Sequence, residues 1–287
     1  MAGARTCVPV SHDVALSAPP ATRGLARTLK LVLWALAASI PLETQAGVSV
    51  GSETAGVGMG ASSMSEAQTG SLLVEYFKEF VKKRNVDEFR ERVSARYTEG
   101  TLSRILIGSP EVLARRAAVL SLGMLGTFEQ SNAVLGKALR DQDLAVRTTA
   151  EDALWAIWFR ADTPEHNRRL EQVRQLIGRE QLEQAETLVK RLIADAPNFA
   201  EAYNQRAFIL FLLGRFAESA EECQRVLARN PYHIGAIEGL AKCQLSLSRP
   251  RDALKSLRRA FRLRPHNMAL GNSIHELETQ IESDSGR

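Results

Sequence analysis

Residues 200–231 read AEAYNQRAFILFLLGRFAESAEECQRVLARNP. On either side of Gly214, bulky and small residues return at helical spacing: Tyr203, Ala207 and Leu210 before it, then Phe216, Ser219, Cys223 and Val226 after it. Gly214 stands where a helix end calls for a left-handed residue. Pro231 lacks an amide hydrogen and disfavours helical geometry at Asn230, so the second helix must stop there. The stretch predicts a hairpin, with helix A over about Ala200 to Leu213 and helix B starting near Ala217. Ala207 and Ser219 let the two helices approach closely, while Tyr203, Leu210, Phe216 and Leu227 fill the space around them.

The same ruler extends outward. Pro197, Pro231 and Pro265 are 34 residues apart, and Ala185, Ser219 and Ala253 lie twelve residues before each of them. The third unit, from about Ile234, keeps Leu240, Ala241, Ala253, Leu257 and Ala260, with Ser248 in the place of glycine. The first, from His166, keeps Ala185, Val189 and Leu192, but has Arg169 for the usual aromatic and its Gly178 two residues early. After Pro265 the spacing Ile274, Leu277, Ile281 predicts one more amphipathic helix as a cap. A 34-residue period of helix, turn, helix closely resembles a tetratricopeptide (TPR) repeat. A lone hairpin cannot cover its apolar side, so the resemblance implies stacked units with local contacts, an all-α solenoid.

Upstream, helical periodicity begins at Leu72, with a second short helix over Val86 to about Tyr97. Two copies of another pattern then follow at an offset of 32 residues: Ala114-Arg115, Ala118, Ser121-Leu122, Leu125, and Val146-Arg147, Ala150, Ala153-Leu154, Ile157. The pair resembles HEAT-type repeats, with Ser109-Pro110-Glu111 and Asp141-Gln142-Asp143 expected at the helix starts. Trp155 and Trp158 are expected to pack where this module meets Thr163-Pro164-Glu165, the start of the next helix. The expected organisation is therefore a leader over 1–46, a flexible Gly/Ser linker over 47–70, a HEAT-like helical module over 71–162, and a TPR domain with its C-terminal capping helix over 163–287.

Residues 29–40, LKLVLWALAASI, form an apolar run of signal-peptide length, too short to span a bilayer comfortably. Thr44-Gln45-Ala46 places small residues at a cleavable site before Gly47. Export by a signal peptide is the expectation. Alternatives are a membrane anchor over 29–40 and an organellar transit peptide. The formal net charge is +4, and the leader supplies half of it through Arg5, Arg23, Arg27 and Lys30 against Asp13 and Glu43. A pI near 9.1 therefore argues only weakly for nucleic acid. Three cysteines make no disulfide framework. Cys223 and Cys243, at helix positions of successive repeats, read as buried thiols.

No catalytic set emerges. The five histidines are scattered over leader, turns and cap, and no His-Glu-x-x-His, Cys-x-x-Cys or Gly-x-Ser-x-Gly occurs. No metal, cofactor or catalytic residue is expected, and the chain reads as non-catalytic. The resemblance implies a concave groove lined by helix A of each unit, holding a peptide or partner helix. Its positions here are Asn167, Leu170, Arg174 and Ile177, then Glu201, Asn204, Phe208 and Phe211, then Glu238, Lys242 and Leu245. The TPR subfamily that clamps a terminal carboxylate uses polar and basic helix-A residues where this chain has Leu170, Gly235 and Gly239. Phe208 and Phe211 are singled out as exposed apolar anchors, because Tyr203, Ala207 and Leu210 already meet the needs of the core. A second reading stays open: an adaptor docking on anionic lipid, polymer or nucleic acid through the basic third repeat, with Arg251, Lys255, Arg258, Arg259 and Arg262. The lack of an aromatic stacking platform disfavours nucleic acid.

Overall fold

The computed structural model describes residues 61–285. The leader and the greater part of the expected linker lie outside these described residues. Among them the chain is all-helical, with thirteen helices and no strand. Contacts divide the chain into two compact units that meet in sequence between Ala161 and Asp162.

The first unit contains α1 (Ala61–Lys83), α2 (Val86–Arg96), α3 (Glu99–Gly108), α4 (Val112–Leu125), α5 (Phe128–Ala138) and α6 (Leu144–Phe159). Helix α1 starts ten residues inside the stretch expected to be linker. Residues 61–70 contain no proline to stop a helix, and its continuation is anchored by buried Leu73, Phe77 and Phe80. The helix starts expected at 109–111 and 141–143 fall at the last residue of each triplet, with Glu111 and Asp143 as the N-cap residues. Helix α4 begins only at Val112, after Ser109 has used its Oγ to accept the Glu111 N–H, and Asp143 rather than Asp141 caps α6 by accepting from Val146 N–H. Pro110 therefore lies before the helix and not in its first turn.

The two 32-residue copies make the same bonds. Arg115 Nη1 donates to the carbonyls of Ser109 and Pro110, and Arg147 Nη1 to those of Asp141 and Gln142. The copies are also tied to each other, since Arg115 pairs with Asp141 at 2.9 Å and Arg116 with Asp143 at 2.7 Å. The paired Arg116 guanidinium holds the Asp143 carboxyl below its ordinary pKa. Helices α4 and α6 pack so closely that a Cβ on Gly123 would lie 2.9 Å from Ala153 Cβ. Arg160 donates to the carbonyls of Gly123 and Gly126, satisfying the last turn of α4. Trp158 belongs to the core of this unit: it is 2% exposed, and its indole N–H donates to Asn132 Oδ1 at 2.8 Å.

The second unit contains α7 (Pro164–Gly178), α8 (Leu182–Asp195), α9 (Ala200–Leu212), α10 (Phe216–Arg229), α11 (Ile234–Ser246), α12 (Pro250–Leu263) and α13 (Met268–Ser285). They form three hairpins followed by a capping helix. Within the second hairpin Ser219 Oγ donates to Ala207 O at 2.7 Å, so the two small residues hold a direct bond between the helices. Leu270 and Leu277 of α13 close the core, packed with Leu257, Ala260 and Phe261 of the third hairpin.

The 34-residue ruler is sharpest in the turns. Positive φ occurs at Glu180, Gly214 and Ser248, each 34 residues from the next. The residue after each donates its N–H to the carbonyl five back, Gln181 to Leu176, Arg215 to Leu210 and Arg249 to Gln244, at 2.8–2.9 Å. This is the Schellman closure of a helix end. The first hairpin's turn residue is thus Glu180, while Gly178 is the last residue of α7. Glycine was a misleading marker there, because the closure fixes the turn and lets Glu180 and Ser248 bear the strain.

Candidate functional site

Helix α9 packs against both α7 and α11, so the first helices of the three hairpins lie side by side. Each buries one face in its own hairpin and another against its neighbour. What remains is a row of side chains that the stack covers only in part. Arg174 and Ile177 on α7, Asn204, Phe208 and Phe211 on α9, and Glu238 and Lys242 on α11 are all half-buried, while Leu245 is 40% exposed.

The charged members are engaged locally. Arg174 Nη1 lies 2.7 Å from Glu171 Oε2, and Glu238 pairs with Arg264. Asn204 Nδ2 donates to Glu201 Oε1 at 2.9 Å. Burial lowers the Lys242 ammonium from its ordinary pKa, against the opposing field of Glu238. Phe211 meets Phe216 edge to face, with centroids 5.3 Å apart, which turns part of its ring toward the hairpin.

Two residues expected on this row are absent from it. Leu170 is 1% exposed and belongs to the core. Glu201 is 1% exposed, and its carboxylate is enclosed by a network built between α9 and α11. His233 caps α11 by accepting the Ala236 N–H at Nδ1, which leaves its proton on Nε2, and that N–H donates to Glu201 Oε2 at 2.9 Å. Gln205 Nε2 supplies a further bond to Glu201 Oε1 at 2.6 Å. A buried carboxylate is tolerable when its oxygens are satisfied in this way. One apolar residue was missed: Leu212 is 45% exposed and lies one helical turn beyond Phe208. Its i+4 spacing from Phe208 was the available signal.

The basic residues of the third hairpin lie on α12. Arg251, Lys255, Arg258 and Arg262 are exposed, and Arg259 is half-buried. Arg258 reaches Glu278 of α13 at 2.7 Å, Lys255 reaches Asp252 at 2.9 Å, and Arg259 donates to Pro231 O. Cys223 and Cys243 are buried and free. Among the described residues no group of three or more His, Cys, Asp or Glu side chains is placed to hold a metal ion.

Residues 170–234 match the family model for the tetratricopeptide repeat. The chain carries tetratricopeptide repeats. A TPR repeat-containing protein of Rhizobium etli is 27% identical over 89 residues, covering 31% of this chain and 44% of that protein. The chain thus matches less than half the length of this curated relative. Among solved structures, the first TPR of Spaghetti bound to an HSP90 peptide is 18% identical with a TM-score of 0.40, covering 42% of this chain and 96% of that one. The Sgt2 TPR domain of Aspergillus fumigatus is 16% identical with a TM-score of 0.40, covering 44% and 84%. The matched segment runs from α7 to the start of α11 and so contains most of the TPR row described above.

Proposed function

We propose that the TPR unit is a non-catalytic scaffold that holds a partner segment along α7, α9 and α11. The observation that carries this reading is the row itself. Phe208, Phe211, Leu212 and Leu245 are large apolar side chains that folding leaves partly in water, and they lie on adjacent helices. Arg174 and Lys242 flank them, so the row suits an apolar segment that carries acidic groups, bound as a helix or an extended peptide. The partner is a protein or peptide; the oligomeric state is no part of the proposal.

A peptide-display selection on the full chain tests it. The expected outcome is enrichment of sequences with large apolar residues next to Asp or Glu. Their affinity should fall by roughly 2 kcal/mol or more with Leu212→Asp or Leu245→Asp, while the melting curve is unchanged. Equal binding by these variants would refute the row as the site. Phe211→Ala is less clean, because the contact with Phe216 gives this ring a structural share.

The same proposal includes two finer points. The 32-residue pair of the first unit is HEAT-like, a reading supported by the identical backbone bonds of Arg115 and Arg147. Export through the leader is supported by the apolar run 29–40 and the small residues before Gly47. Amino-terminal sequencing of the mature protein should find Gly47, and an intact Met1 would remove that reading.

A further inference from the structure

The 34-residue period supplies an internal control at the seams between successive hairpins. Where α8 meets α9 it places Val189 and Ile209, and where α12 meets α13 it places Leu257 and Leu277, all of them buried. The fold thus asks only for apolar bulk at these two positions. At the middle seam, between α10 and α11, both are cysteine: Cys223 and Cys243, buried and free.

The geometry brings the two thiols together. Cys243 Sγ donates to Ser219 Oγ at 3.2 Å, and Ser219 lies one turn before Cys223 on α10. A Cβ on Gly239, one turn before Cys243 on α11, would lie 3.3 Å from Cys223 Sγ. Glycine at that point lets the helices approach until the two thiols share a hydrogen bond. The bond from Cys223 lowers the Cys243 thiol from its ordinary pKa, with burial opposing, and the same contact together with burial raises Cys223. A thiolate is the attacking form in disulfide exchange, and this pair sets one poised sulfur beside a protonated one.

We propose that Cys223 and Cys243 are a redox modification site, closing into a disulfide that staples the second hairpin to the third. The electrons pass to a small-molecule disulfide such as oxidised glutathione. The Cys243 thiolate attacks one of its sulfurs and displaces a glutathione thiolate. Cys223 then gives up its proton, attacks Cys243 Sγ in the mixed disulfide and displaces the second glutathione. Two protein thiols are oxidised, and one glutathione disulfide is reduced to two thiols. Because both sulfurs are buried, the exchange runs while the seam is open, during folding or local opening. In the export reading, Cys7 leaves with the leader and the two remaining thiols enter an oxidising compartment. The contact across the seam stands without that reading.

The full chain carrying Cys7→Ser isolates the pair, and refolding it from urea in a mixture of oxidised and reduced glutathione tests the proposal. Tryptic mass spectrometry of the monomer should find peptides 216–225 and 243–251 joined. The oxidised chain should keep its helical circular dichroism spectrum and melt about 5–10 °C above the reduced chain. Dithiothreitol should abolish the difference, and a further Cys223→Ala change should leave no gain to abolish. Free thiols after refolding, glutathione adducts alone, or a bond only between two chains would overturn the proposal. So would a bond that lowers the melting midpoint, or a gain that survives Cys223→Ala.

Discussion

Both units of this chain join successive helical repeats through enclosed polar pairs, and they differ in which groups pair and in how each hairpin closes. In the first, the copies are pinned where their helices begin, by Arg115 with Asp141 and Arg116 with Asp143, whose side chains are only 12–16% exposed. In the TPR unit the hairpins close on small residues, Ala207 against Ser219, and the repeats are joined by the buried Glu201 and His233 network. Charge pairs demand exact partners and respond to pH. Small-residue packing demands only an absence of bulk, which is why it recurs as a legible 34-residue pattern while the charge ladder is harder to see in the sequence.

The largest break in the comparison should come from Trp158→Ala in the first unit. It removes a fully buried indole and leaves Asn132 Oδ1 without the N–H that it accepts, so a loss of about 3–5 kcal/mol is expected in urea unfolding. A loss under about 1 kcal/mol would mean that the ring is not part of the core.

Arg116→Ala should cost about 2 kcal/mol at neutral pH, because it leaves the enclosed Asp143 carboxylate without its ion-pair partner, held only by the Val146 N–H and the more distant charge of Arg115. Its pH dependence is the sharper test. The Asp143 pKa is depressed in the folded state, so its contribution is complete above the unfolded value near 4 and is lost as pH falls through the lower folded value. The native chain should therefore lose stability below about pH 4, and the variant should lose less over the same window. Parallel curves for the two proteins would show that the pair does not govern the acid limb.

The smallest effect distinguishes the turns of the TPR unit. Ser248 is held at φ 57° and Glu180 at φ 60°, where a Cβ costs roughly 1 kcal/mol. Ser248→Gly and Glu180→Gly should each stabilise by up to about 1 kcal/mol, read as a raised melting midpoint. Gly214→Ala, at φ 74°, should do the reverse. A destabilised Ser248→Gly would show that this side chain makes a contact that outweighs the strain.

The spacing of Pro197, Pro231 and Pro265, with Ala185, Ser219 and Ala253, was enough to read helix, turn, helix and its stacking, because these positions act within one hairpin through local geometry. Phe208, Phe211 and Leu245 are named from the family resemblance, and the structure leaves the two rings half-buried and Leu245 40% exposed. Tertiary structure decided the rest. Glu201 has the phase of a groove residue, yet His233, 32 residues on, folds over it and takes it into the interior. Leu170 shares that phase and is buried, and Leu212 was passed over and is exposed. Glu180, not Gly178, makes the first turn, because the bond from Gln181 N–H to Leu176 O closes the helix there. The period of a repeat is set by contacts close in sequence and can be read from residue types. Which edge of a helix its neighbour covers depends on how successive hairpins are seated, and that is fixed only when distant side chains meet.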